Sequence, residues 1–102
     1  MGTHDAINAA NAEAARKAGW PELTGTAKQI GWAHTVRKDK MDEFEATPMP
    51  EAEKTRWREI LLRELRAGAW IDSLSSPWQA LAIINLTTEE HADLLAGQFA
   101  GS

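Results

Sequence analysis

The chain has no cysteine. That excludes disulfides, zinc–thiolate sites, iron–sulfur clusters and thiol catalysis, and it fits a cytosolic protein. Tyrosine is also missing and valine occurs once, at Val36, so the alternating β-branched pattern of a half-buried strand is absent. No apolar run approaches the roughly 20 residues that span a bilayer. The opening MGTHDAINAANAEAARK has alanines but no basic stretch leading into an apolar block, so no secretory signal is expected. Gly25 stands without the further glycines and lysine of a phosphate loop, and no serine lies in a small-residue nucleophile turn. His4, His34 and His91 are far apart and form no H-x-x-x-H or E-x-x-H pair, so neither a metal nor a cofactor is expected. Lysine and arginine are absent from residue 73 onward, where Glu89, Glu90 and Asp93 are the only charges.

What is abundant favours helix: alanine, glutamate, leucine, lysine and arginine. Asp5 or Thr3 can cap a first helix, to about Ala18, with Gly19 ending it. Its face is mostly alanine, so it buries little. Thr26-x-x-Gln29 has the form of a capping box. Behind it Ile30, Ala33, Met41 and Phe44 fall within about 80° on a helical wheel, predicting a helix over 27–46. Thr47-Pro48-Met49-Pro50 breaks it, and Pro50 suits the first turn of a third helix carrying Trp57, Ile60, Leu61 and Leu65 inward to about Arg66. Gly68 bends the chain into a short helical turn over 69–72. Ser75-Ser76-Pro77 reads as a cap followed by proline in the first turn of another helix, with a stripe of Trp78, Leu81, Ala82 and Ile84. Thr87-x-x-Glu90 repeats the capping-box pattern and begins a last helix with Leu94 and Leu95 facing in and Gly97 at its end. With 102 residues and no repeat, these add to one all-α domain, a compact bundle of five or six short helices over 1–102, with loose ends at 1–4 and 98–102.

The net charge is −4. Two acidic groups stand out as partner-binding candidates. Asp39, Asp42, Glu43 and Glu45 lie near the end of the second helix. Glu89, Glu90 and Asp93 lie in the last, without a basic neighbour in sequence. Either could steer the protein onto a basic partner surface, with an apolar or tryptophan contact supplying most of the affinity. Against them stand Arg37, Lys38 and Lys40, and Arg56, Arg58, Arg63 and Arg66. Those clusters suit phosphate, but Lys38 precedes Asp42 by four, Glu59 precedes Arg63 by four and Glu53 precedes Arg56 by three, spacings that pair charges along one helix. No direct nucleic-acid binding is therefore expected. Five tryptophans are present. Trp57, Trp70 and Trp78 fall on core faces, whereas Trp20 and Trp32 do not.

The stretch LTGTAKQIGWAHTVR holds the most ordered local pattern. Leu23-x-Gly25-Thr26-x-Lys28-Gln29-Ile30-x-Trp32-Ala33 resembles a signature, L-x-G-[ST]-x-K-Q-[IV]-x-W-A, of small proteins of phages, plasmids and other mobile elements. A second element of that family, W/I-I-D-N-R, begins here as Trp70-Ile71-Asp72 but continues Ser73-Leu74. Some members resemble anti-CRISPR proteins of the type I class. The resemblance implies a non-enzymatic inhibitor in the cytoplasm of a bacterial host. It would bind a Cas effector subunit or complex stoichiometrically, as a monomer or weak homo-oligomer, and block target DNA binding or nuclease recruitment. The alternative is an accessory protein of a mobile element that binds nucleic acid through the Arg/Lys faces. The motif residues also have a structural reading. Thr26 and Gln29 cap, Ile30 faces the core, Trp32 covers a flank, Trp70 docks on the motif helix, and Asp72 caps or forms a salt bridge nearby. The motif then marks a scaffold, and function lies on the surface around it.

Overall fold

The computed structural model describes residues 3–97. The expected loose ends at 1–2 and 98–102 lie outside the described residues, while the backbone of Thr3 and His4 is already helical. Six helices follow one another: α1 (Thr3–Lys17), α2 (Ala27–Glu45), α3 (Glu51–Leu61), α4 (Ala67–Asp72), α5 (Trp78–Ile84) and α6 (Thr88–Leu95). No strand occurs among the described residues, only an isolated parallel bridge between Thr24 and Arg66. The all-α bundle is thus borne out, in an elongated form of 50 × 23 × 22 Å.

The core is built on α2. Ala33, Val36, Met41 and Phe44 are buried along it, facing Trp57, Ile60 and Leu61 of α3, Ala67 and Trp70 of α4, and Trp78, Leu81 and Ala82 of α5. Phe44 and Trp57 both meet Trp78 edge-on, with ring centroids 4.8 and 5.8 Å away, the geometry that aromatic quadrupoles favour. The indole N–H of buried Trp70 donates to the Glu64 carbonyl (2.9 Å), and α4 packs on α2. The docking expected of Trp70 is observed.

The two ends of the chain attach differently. α1 packs on α2 and on no other helix to a comparable extent. Its seam is alanine-rich, and Ala15 is its buried apolar residue. A polar relay supplements it: Asn11 Nδ2 donates to Thr35 Oγ1 (3.0 Å), which donates to Asn8 Oδ1 (2.6 Å). α6 has no extensive helix packing. Leu86 and Leu94 touch the core, and side-chain charge supplies the rest of the attachment.

Several expectations need correction. α3 stops at Leu61, with Leu62 as its C-cap, not near Arg66. The chain is wanted elsewhere: Leu65 and Arg66 run extended beside Thr24, which donates to the Leu65 carbonyl and accepts from Ala67 N–H at the start of α4. That tertiary pairing outweighs helix propensity, and it turns Leu65 outward. Pro50 and Pro77 sit at the N-cap, not in the first turn, and Ser76 does not cap α5. Its carbonyl accepts from Lys40. Ile84 and Leu95 are 65% and 78% exposed, not part of a buried stripe. Leu94 packs on the core, and Leu95, about 100° further round the helix, turns to solvent.

Candidate functional site

The motif stretch forms a clamp between two parts of the chain. Leu23 is buried. Thr24 N–H donates to the Leu65 carbonyl (2.6 Å), and Ala67 N–H donates to the Thr24 carbonyl (2.8 Å), tying the entrance of α2 to the start of α4. Gly25 follows at φ 144°, where a side chain is strained, and an added Cβ would lie 3.1 Å from Gln29 Oε1 and 3.2 Å from the Ala67 Cβ. The capping box is complete: Gln29 N–H donates to Thr26 Oγ1 (3.1 Å), and Thr26 N–H donates to Gln29 Oε1 (3.2 Å). Ile30 is half-buried against the core, and Trp32 is 49% exposed. Leu23, Gly25, Thr26, Gln29 and Ile30 thus have structural tasks. Asp72 is the exception. It is exposed and makes neither a cap hydrogen bond nor a salt bridge among the described residues; Pro77 occupies the N-cap position of α5, and Arg66 pairs with Glu64.

The acidic candidates are mostly spent inside the molecule. Glu45 takes both Arg58 Nε (2.7 Å) and Arg58 NH2 (2.9 Å), and that hydrogen bonding holds its carboxyl below the usual range. Asp42 receives Lys38 (2.5 Å), and Glu43 lies 3.5 Å from Lys40. Asp39 is exposed and forms no salt bridge among the described residues. The largest correction concerns Glu90. It is 4% exposed, so it is no part of an outward patch. Arg63 grips it through two contacts of 2.5 and 2.8 Å, Arg56 lies 3.1 Å away, and it closes the capping box of α6 with Thr87. Hydrogen bonding from Arg63 leads the forces that bring its carboxyl down to about 2, against the opposing effect of burial. The last helix thus lacks basic neighbours in sequence but has two in space. Glu89 and Asp93 remain, with Glu89 exposed, and neither forms a salt bridge among the described residues.

The basic faces are spent as well. Arg37 and Lys40 are buried, at 1% and 7% exposure. Arg37 donates to the Pro21 carbonyl (2.8 Å) and lies 5.3 Å from the centroid of the Trp20 ring. Burial without a carboxylate in hydrogen-bond reach lowers its pKa to about 10. Arg63 and Arg56 both reach Glu90 on α6. Arg66 holds Glu64 at 3.0 Å.

Two surfaces remain open. One is at the C-terminal end of the described chain, where Ile83, Ile84 and Leu95 are exposed and a shallow depression forms beside Leu86, His91 and Leu95. The other is a groove of about 800 Å³ between α1 and α2, bordered by Ile7, Ala9, Ala12, Lys28, Gly31 and Trp32. His34 also lines it. The Arg37 guanidinium sits 3.4 Å from His34 Nδ1, and burial followed by that neighbouring charge keeps the imidazole pKa below its usual value. Among the described residues no cluster of His, Asp and Glu is arranged to hold a metal ion, and no helix is long and apolar enough to cross a membrane. No family model, curated protein or solved structure matches the chain.

Proposed function

We propose that this chain is a protein-binding inhibitor of a CRISPR–Cas effector. It would act by stoichiometric binding, without chemistry of its own, and block target DNA binding or nuclease recruitment. The local motif suggests the class, and one observation supports a binding surface. Ile84 and Leu95, the two most exposed large apolar side chains among the described residues, lie in the α5–α6 segment, which contributes Glu89 and Asp93 but no lysine or arginine of its own. Apolar anchors next to outward acids suit a basic protein surface, with the charges governing encounter and the anchors governing residence. An effector groove built to hold nucleic acid has that basic character. On this reading the contact lies away from the motif and does not include Glu90.

The test is capture of purified type I effector complexes by the full chain, beside a DNA mobility shift. An Ile84→Ser/Leu95→Ser variant is expected to dissociate faster. A Glu89→Lys/Asp93→Lys variant is expected to associate more slowly, with a weaker salt dependence. Circular dichroism should be unchanged in both, since neither pair belongs to the core. If both variants bind the effector like the parent, the surface is elsewhere. If the parent ignores effectors but shifts DNA with a steep salt slope, the protein is a nucleic-acid accessory factor and the inhibitor reading is wrong.

A further inference from the structure

α1 stands apart from the core that the other helices share. Among the described residues the core cluster takes none of its members from α1. The end of α1 is nevertheless closed firmly. Gly19, at φ 77°, donates its N–H to the Arg16 carbonyl (3.1 Å), and Trp20 N–H donates to the Ala15 carbonyl (3.0 Å). That pair of bonds is a Schellman closure, and it fixes Trp20 to the helix end. One buried side chain of α2 then grips this end. Arg37 donates through NH1 to the Pro21 carbonyl (2.8 Å), and its guanidinium carbon lies 5.3 Å from the Trp20 ring centroid, within cation–π reach. Its remaining contact is NH2 with His34 Nδ1, at 3.4 Å. Arg37 Nε has no hydrogen-bond partner among the described residues. A guanidinium can only donate. His34 therefore offers a lone pair at Nδ1 and carries its proton on Nε2.

We infer that residues 3–22 form a releasable arm and that His34 is its acid-operated catch. A proton taken from solvent at Nδ1 removes the acceptor and sets an imidazolium against the guanidinium. Arg37, already short of partners in a buried site, then moves off the Pro21 carbonyl and the Trp20 ring. The Schellman closure carries α1 away with them. The charges around His34 come from three elements: Arg37 on α2, Arg16 on α1 and exposed Glu22 in the crossover. Lys38, further along α2, is paired with Asp42, and Asp5 and Lys28 border the same groove. Burial and then Arg37 hold the imidazole pKa below its usual value while the arm is closed, with Arg16 acting in the same direction and Glu22 against it. In the open arm the imidazole returns to about 6.5. The open form therefore binds the proton first, so attachment is complete above about pH 6.5 and weakens as the pH falls below it. The core of α2 to α5 remains, because it takes no residue from α1. Glu45, Glu64 and Glu90 are depressed below the usual carboxylate range and stay ionised in this window, so the arm opens before the ion cluster at α6 is touched.

Hydrogen exchange of the full chain, read as protection factors at about pH 7.5 and about pH 5.5, tests the inference. Protection of the α1 amides should fall several-fold at the lower pH, while that of the buried turns of α2, α3 and α5 holds. His34→Gln keeps an acceptor for Arg37 and cannot be protonated, so its α1 protection should be the same at both pH values. The readout is the pH dependence, which a change in arm stability alone does not produce. Nitrogen-15 NMR of the parent should find the His34 proton on Nε2 above pH 7. α1 protection in the parent that does not vary with pH overturns the inference. So does a pH dependence that survives in His34→Gln, which would assign it to another group. A proton found on Nδ1 removes the catch, and α1 amides that exchange only together with the core remove the arm.

Discussion

Two helices of this protein begin with the same device and depend on it to different degrees. Thr26-x-x-Gln29 opens α2 and Thr87-x-x-Glu90 opens α6, each as a complete capping box with a 3.1 Å bond from the fourth residue's amide to the threonine hydroxyl. α2 would be held without its box, because Ala33, Val36, Met41 and Phe44 bury one face of it. α6 has no comparable face. Its single fully buried residue among those described is Glu90 itself. The same carboxylate closes the cap and receives Arg63 and Arg56. Arg63 also donates to the Asn85 carbonyl (3.1 Å), and Asn85 Nδ2 donates to Glu64 (3.3 Å) and to the Leu81 carbonyl (3.0 Å). At α2 the motif places a helix that the core already wants. At α6 it places the ion on which the helix depends.

The comparison predicts its largest difference for removal of the fourth residue. Glu90→Ala takes the anion from two arginines and breaks the cap, and should cost about 2–4 kcal/mol. Gln29→Ala loses only neutral hydrogen bonds at an exposed position and should cost about 0.5–1 kcal/mol. Urea unfolding of both variants measures the gap. Equal losses would show that α6 is held by Leu86 and Leu94, with Glu90 incidental.

Acid should find the same asymmetry. The Glu90 carboxyl is depressed to about 2 in the folded chain, against about 4.3 when unfolded. Its contribution is therefore present in full above about pH 4.5 and is lost as the pH falls towards 2. With Arg56 and Arg63 each more than a third exposed, solvent screening reduces that contribution to on the order of 1–2 kcal/mol. Glu45 and Glu64 are also depressed, Glu45 chiefly by its hydrogen bond from Arg58 and Glu64 by Arg66 against the opposing effect of burial. Glu90→Gln should thus flatten only part of the acid profile. If it titrates like the parent, the ion cluster does not hold α6 as described.

Removing the threonines should narrow the difference. Thr26→Ala and Thr87→Ala each delete one cap acceptor, at about 0.5–2 kcal/mol, and calorimetry should find the two similar because the bonds are similar. Effector capture per folded molecule should survive Thr26→Ala. Loss of capture at unchanged melting temperature would make the motif a contact site and not a scaffold.

How much of this was legible in the sequence follows from the range of each interaction. Both capping boxes, the breaks at Pro48 and Pro77, and the buried set of Trp57, Trp70 and Trp78 rest on residues within a few positions of one another, and periodicity reveals them. The end of α3 was not legible, because it is set by pairing of residues 65–67 with Thr24, some forty positions away. Nor was the fate of the charges. Lys40 reaches the carbonyl of Ser76, and Arg63 reaches Glu90 across 27 positions, in preference to Glu59 at helical spacing. Sequence spacing offers each charge a partner on its own helix, whereas burial selects the partner that desolvation makes stronger. This is why Glu45 and Glu90 read as parts of open acidic surfaces when Arg58 and Arg63 hold them from other segments.

The smallest expected effect is the most diagnostic for the comparison. Gln29→Glu gives α2 the same box that α6 has, threonine with glutamate. The new carboxylate accepts from Thr26 N–H as the amide oxygen does now and adds a negative charge to the first turn, which the helix dipole favours by a few tenths of a kcal/mol at an exposed site. No arginine contacts this position: Arg37 is committed to Pro21, Trp20 and His34, and Arg66 to Glu64. Stability near neutral pH should therefore change by no more than about 0.5 kcal/mol, and no new acid transition should appear. If the substitution instead stabilises α2 as strongly as Glu90→Ala weakens α6, the carboxylate in the cap is the source of the energy. If it leaves the protein nearly unchanged, the source is the pair of arginines that only the second box has.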